Sequence, residues 1–221
     1  MQGNNKAIMA VVTLAIGLLV GGGIGYAMNN NKESEHAHSP ATDTKAASLR
    51  TLLNNLEAEH VDLAAAATRA GFDGDPSFTA AAGALGKNTD ELSAAVASVY
   101  GEEAGEQFKE IWARHIGFFV DYTVAAKAGD KAKMDKAVQN LNGYVEAIST
   151  FLSGANENLP KDAVAQLVTE HVGLLKEAVD KHGAGDFAGS YDAQSRARAQ
   201  ITNKIADTLA GAIVKQKPEA F

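Results

Sequence analysis

Three histidines, His60, His115 and His171, recur 55 and 56 residues apart in similar surroundings. Imidazole is a common ligand for borderline metals and the side chain best matched to proton transfer near neutral pH, so chemistry in this chain would sit there. If the segments that carry the three rings converge about one axis, the rings meet in a single layer that takes Cu, Zn or haem iron, with water completing the shell. If they stack in a row, the outer rings stand too far apart: neighbouring helix axes are about 8–10 Å apart, and a zinc–nitrogen bond is only about 2.0–2.1 Å. The plainer expectation needs no metal. Each ring is then a buried polar group satisfied by a backbone carbonyl or by Asn88, Asn142 or Asn203 from a following helix. A proton-linked switch is a further reading, because buried imidazoles that must charge on acidification open a core.

The elements that must position these rings are helices. Counting each histidine as zero, the offsets −7, −4, −3, +3, +4 and +7 trace one face of an α-helix. In the first copy they hold Leu53, Leu56, Glu57, Leu63, Ala64 and Ala67. The second copy has Phe108, Ile111, Trp112, Phe118, Phe119 and Tyr122 there, and the third has Val164, Leu167, Val168, Leu174, Leu175 and Ala178. Glu57 alone breaks the apolar pattern. Each histidine is followed, after about one further helical span, by the same pair: Gly74-Asp75, Gly129-Asp130 and Gly185-Asp186. Glycine accepts the left-handed conformation that ends a helix, and aspartate accepts the open amides that begin the next. A second apolar stretch follows in each copy, around Leu92 and Val96, Val145 and Ile148, and Ile201 and Ile205. The expectation is an all-α body of six helices in three tandem hairpins, residues 48–101, 102–154 and 155–221, with Pro160 in the first turn of the fifth helix. Each hairpin leaves an apolar stripe uncovered, so the copies should pack as one unit.

Ahead of the body, residues 7–28 carry no charged side chain and are long enough as a helix to cross a hydrocarbon layer about 30 Å thick. Lys6 precedes them and Lys32, Glu33 and Glu35 follow, so the positive-inside tendency leaves residues 1–6 as a cytoplasmic tail and the body outside. The expected arrangement is a single-pass anchor in the cell membrane with an extracytoplasmic C-terminal body. Secretion after signal cleavage near Gly25 and Ala27 is the alternative. Residues 29–47 are polar, include Pro40 and read as a flexible stalk.

Composition narrows the function. A net charge of −7 leaves no basic field for phosphates, so nucleic acid is not an expected partner. The absence of cysteine excludes disulfides, thiolate metal sites and cysteine nucleophiles. No G-x-S-x-G elbow, H-E-x-x-H, P-loop or repeated E-x-x-H motif occurs, so no catalytic residue is assigned. Gly183, Gly185 and Ala188 match a dinucleotide pattern but follow a helix rather than the strand that motif requires. Asp73 and Asp75 lack the later ligands of a calcium loop and read as a hairpin turn. Glu59 and Glu170, beside two of the histidines, point about 100° away from them and read as solvated. His36 and His38 in the stalk lack an enforced geometry. Trp112, Phe118, Phe119 and Tyr122 read as central core, with room for a ligand pocket beside them.

The run Arg114-His115-Ile116-Gly117-Phe118-Phe119-Val120-Asp121-Tyr122-Thr123, with residues 155–164 and 212–221, resembles a family of secreted bacterial helical-repeat proteins. The likeness covers most of residues 48–221. Some members are labelled copper-amine-oxidase-like, after an accessory surface domain of related chains, and the label implies no catalysis. Copper amine oxidases themselves resemble large β-rich enzymes with a modified tyrosine in an Asn-Tyr-Asp/Glu context, whereas this chain offers only Ser190-Tyr191-Asp192. The expected function is a noncatalytic cell-envelope module that binds an envelope protein or a small ligand and needs no cofactor. The alternative is extracytoplasmic binding of Cu, Zn or haem through His60, His115 and His171.

Overall fold

The computed structural model describes residues 42–221. Its first helix, α1 (Lys45–Asp73), starts where the Thr44 hydroxyl accepts the Ala47 amide and ends at Gly74, whose φ of 76° suits a residue without a β-carbon. The chain returns along α2 (Phe78–Tyr100) and passes through Gly101 into α3 (Glu102–Ala128). At the second turn Gly129 is left-handed, and the Asp130 carboxylate accepts the Lys133 amide to open α4 (Lys131–Ala155). Pro160 precedes α5 (Lys161–Gly183), where its missing amide costs nothing. The third turn repeats the device, with the Asp186 carboxylate accepting the Gly189 amide ahead of α6 (Phe187–Gln200). The helix then widens into a π-helical stretch, Ile201–Ala206, and continues as α7 (Asp207–Gln216), so α6 and α7 form one rod. Only the first turn departs from the pattern. Pro76 follows Asp75, the Asp75 carboxylate accepts the Ser77 amide at 2.7 Å, and α2 begins without a side-chain cap.

The body is therefore all-helical, with six rods and no strand among the described residues. No helix among them is long and apolar enough to cross a membrane. The segment at residues 7–28, the tail before it, His36, His38 and all but the end of the stalk lie outside the described residues.

Helix partners show how the rods are arranged. Helices α1, α3 and α5 each touch the other two. Helix α2 lies against α1 and α3, α4 against α3 and α5, and the α6–α7 rod against α5 and α1. The result is a closed ring: three inner helices running in parallel, with three returning helices seated in the grooves between them. The last rod closes on α1 through a polar seam, in which Arg50 forks the Asp207 carboxylate and the Asp62 carboxylate takes Gln194 at 3.1 Å and Arg198 at 3.3 Å. Exposed pairs of this kind contribute little, so closure rests on Leu49 and Leu53 sharing one core with Ala210 and Ile213.

That core is complete at the end where α1 begins, where all six rods contribute: Leu53, Leu92, Phe108, Ile148, Val168 and Ile213 are among its buried members. Beyond the histidines, Val61, Phe119, Leu141, Leu175, Ala197 and Ile201 form a second cluster to which α2 contributes nothing. A third, smaller cluster joins Tyr122, Ala137 and Val179. Helices α2 and α3 approach closely at Gly105, where an added β-carbon would sit 2.7 Å from the Ala97 methyl and 2.9 Å from the Ser93 carbonyl. Gly105→Ala is expected to destabilise the protein by about 1–2 kcal/mol despite alanine's better helix propensity, read as a lower midpoint in thermal unfolding.

Candidate functional site

The ring topology brings the repeated histidines together. His60, His115 and His171 are all buried, at 1%, 4% and 7% exposure, in the layer between the first and second core clusters. His60 Nε2 and His115 Nε2 stand 3.4 Å apart, and the two ring centres 5.3 Å apart. His171 is near enough that its charge would oppose protonation of both. Among the described residues, however, no three His, Cys, Asp or Glu side chains are grouped to hold a metal ion.

His115 finds the expected backbone carbonyl and His171 a side-chain amide, whereas His60 Nδ1 has no hydrogen-bond partner. His115 Nδ1 donates to the Trp112 carbonyl one turn earlier in its own helix. Asn88 lies beside His60 and gives its Nδ2 to the Leu56 carbonyl at 2.9 Å. His171 Nδ1 meets Gln200 Oε1 at 3.2 Å, and Gln200 Nε2 donates to the Leu167 carbonyl at 2.9 Å. Asn142 and Asn203 are exposed and serve neither remaining ring. Gln200 was hidden from pattern reading because it is a polar residue inside a helix of low amphipathicity, although it stands as far beyond His171 as Tyr144 does beyond His115. Tyr144 stacks on His115 with ring centres 4.5 Å apart, and Trp112 closes on His60 at 4.8 Å.

Burial decides the electrostatics. With water excluded, the charged imidazolium is disfavoured, which brings His115 down to about 3 and His171 to about 4 and moves His60 well below the usual range. Glu57, one turn before His60, is 2% exposed, and its Oε2 has no partner; burial raises its carboxyl to about 8. The Trp112 indole N–H is likewise buried and unpartnered. The layer is thus a neutral polar core at neutral pH, made of imidazoles and a protonated acid.

From this layer a cavity of about 360 Å³ runs towards the turn end of the first hairpin. His60 and His115 line its inner end, and its walls include Ala64, Ala67, Leu85, Phe119, Thr123 and Val179. The cause lies in equivalent positions. Where the second copy places Phe119 and Tyr122 four and seven residues after its histidine, the first has Ala64 and Ala67, and Phe78 and Leu85 of α2 line the space without filling it. That contrast was the sequence signal for the cavity, and it shows only when the three copies are compared position by position.

The remaining sequence candidates fall into structural roles. Asp73 accepts from His182 at 2.8 Å and the Asp75 carboxylate accepts the Ser77 amide, so both serve the turn. Gly183 ends α5 and Gly185 makes the third turn at φ 77°. Glu59 and Glu170 are exposed, with Glu170 paired to Lys204 at 2.8 Å. Trp112, Phe119 and Tyr122 are buried and Phe118 half-buried. Ser190 is buried and donates to the Ala178 carbonyl at 2.8 Å, and Tyr191 is exposed beneath Arg69. No protein-family description matches the sequence, and neither curated proteins nor solved structures give a match.

Proposed function

We propose that this chain is a noncatalytic binding module of the cell envelope, its body held outside the membrane by residues 7–28, and that its ligand is a small, mostly apolar molecule with one polar end. The carrying observation is the cavity of about 360 Å³ with apolar walls and two imidazoles at its inner end. Ligand sites are typically of this kind, concave and mainly apolar with a few convergent polar groups. An unfilled space of this size lowers stability, because its lining loses contacts that a side chain would make, and a ligand restores them.

A neutral apolar dye, N-phenyl-1-naphthylamine, tests the reading by fluorescence titration. The full chain is expected to bind one dye saturably, and Ala64→Phe, which copies the residue at the equivalent position of the second hairpin, is expected to weaken binding at least ~10-fold while raising the thermal midpoint. Unsaturable binding, or equal affinity in the filled variant, defeats the proposal. The location is tested separately, by protease added to intact cells: digestion of the body is expected, and full protection removes the envelope assignment.

A further inference from the structure

Helix α2 walls the cavity with its weakest part. Phe78, Thr79 and Leu85 line the space, yet no residue from Phe78 to Ala84 is buried, and burial along the helix begins only at Leu85 and Asn88. Apart from those three lining residues, the stretch from Phe78 to Gly86 is alanine and glycine. A β-carbon added at Gly83 or Gly86 would meet nothing within 4 Å, so packing does not demand either glycine, while each lowers the stability of the helix that holds it. The helix also starts with no side-chain cap and no acidic residue in its first turn, and Asp75 spends its carboxylate on the Ser77 amide. Helix α4 begins with as little burial, but it has the Asp130 cap, the Lys131–Asp135 pair at 2.9 Å and no glycine before Gly143.

Two side chains seat this stretch of α2. The Phe78 ring packs so close to Gly71 that a β-carbon there would lie 3.2 Å from it, and Leu85 is buried one turn before the firm part of the helix. Val124 of α3 also lines the cavity and is still 59% exposed, so the small side chains of α2 leave that wall uncovered. From Asn88 onward the helix is pinned: Asn88 Nδ2 donates to the Leu56 carbonyl at 2.9 Å, and Thr89, Leu92 and Ser93 are buried. Segments with few buried contacts open locally at a free energy well below that of global unfolding. A molecule in the cavity touches Phe78, Thr79 and Leu85 only while these turns are formed, so binding favours the closed form. We propose that Phe78–Gly86 is a lid on the cavity, which opens by local unfolding up to the Asn88 pin to pass an apolar ligand and is held shut by that ligand. The lid rests on the cavity being the ligand site, and Gly83 and Gly86 set how readily it opens.

Hydrogen exchange of the full chain, with stopped-flow fluorescence of N-phenyl-1-naphthylamine, tests this. In the free protein the amides of residues 81–86 are expected to exchange at least ~10-fold faster than those of the first two turns of α4, and saturating dye is expected to slow them at least ~10-fold. Gly83→Ala combined with Gly86→Ala favours the helix and puts both β-carbons in open space, so the variant folds. It is expected to slow exchange at residues 81–86 at least ~5-fold and to slow dye association and dissociation by the same factor, with affinity unchanged. Phe78→Ala, which removes the contact with Gly71, is expected to speed exchange there in the free protein. Dye that binds at rates indifferent to the two alanines, or amides 81–86 as protected in the free protein as the start of α4, overturns the lid and leaves the cavity reading standing. Absence of saturable dye binding overturns the cavity reading and the lid with it.

Discussion

Replacing Glu57 by leucine is expected to stabilise the protein at pH 7.5 by roughly 2–4 kcal/mol, seen as a higher urea midpoint at unchanged slope. The side chain lies in the water-excluded layer next to the histidines, its Oε2 has no partner, and desolvation holds the carboxyl protonated until about pH 8. In the unfolded chain the same group ionises near 4.5. Between those values folding takes up a proton, so stability falls by about 1.4 kcal/mol per pH unit as pH rises from about 4.5 to about 8 and is level above that. Glu57→Leu removes this slope and the desolvation cost together, and Glu57→Gln removes the slope while keeping a polar group. The Tyr144 phenol, held well above its usual range by burial and then by the Glu57 charge, loses the second of those causes in either variant. Identical pH 5–8 stability profiles for Glu57→Leu and the parent would show that burial does not hold this acid neutral.

The second large effect has the opposite sign. His60, His115 and His171 are neutral in the native state because burial lowers all three, whereas the unfolded chain protonates them below about 6.5. Their contribution is fully present above pH 6.5 and is lost as pH falls, through about 4 for His171 and about 3 for His115. Three protons taken up on unfolding amount to about 4 kcal/mol per pH unit, against which Glu57 returns about 1.4, so below pH 6.5 the net loss is about 3 kcal/mol per unit. A domain with roughly 5–15 kcal/mol of total stability therefore unfolds on acidification, at about pH 5 for the lower figure and about pH 2 for the higher, and its stability peaks at about pH 6.5. Circular dichroism during acid titration of chelator-treated protein checks this. His171→Gln should lower the steepness by one proton, and a parent protein that stays folded and equally stable from pH 7 to pH 4 would contradict the account.

These effects could not be read from residue types alone. The sequence did announce six helices. The apolar face around each histidine has helical period, and the Gly-Asp pairs supply a left-handed stop followed by an N-cap, which is how Gly129 with Asp130 and Gly185 with Asp186 act in the structure. These are local properties, set by backbone conformation and by the nearest open amides. Pro76 shows where a local rule yields: the same Gly-Asp pair is present, but the proline fixes the backbone behind it, so Asp75 shapes a turn and leaves α2 uncapped.

Burial of the histidines was legible for the same reason, since it follows from a face pattern within one helix. Their mutual distance was not, because it depends on residues from different hairpins. A row and a ring satisfy the same apolar stripes; the ring is chosen by the last rod packing on α1, where Leu49 and Leu53 meet Ala210 and Ile213. Only that closure brings His60 and His115 within 3.4 Å and turns two alanines of the first copy into the wall of a cavity. The elements and their buried faces belong to the sequence, because short-range sterics and hydrogen bonds specify them. The polar layer, its suppressed charges and the space beside it belong to the tertiary structure, because dielectric exclusion and packing are shared among helices that no sequence neighbourhood contains.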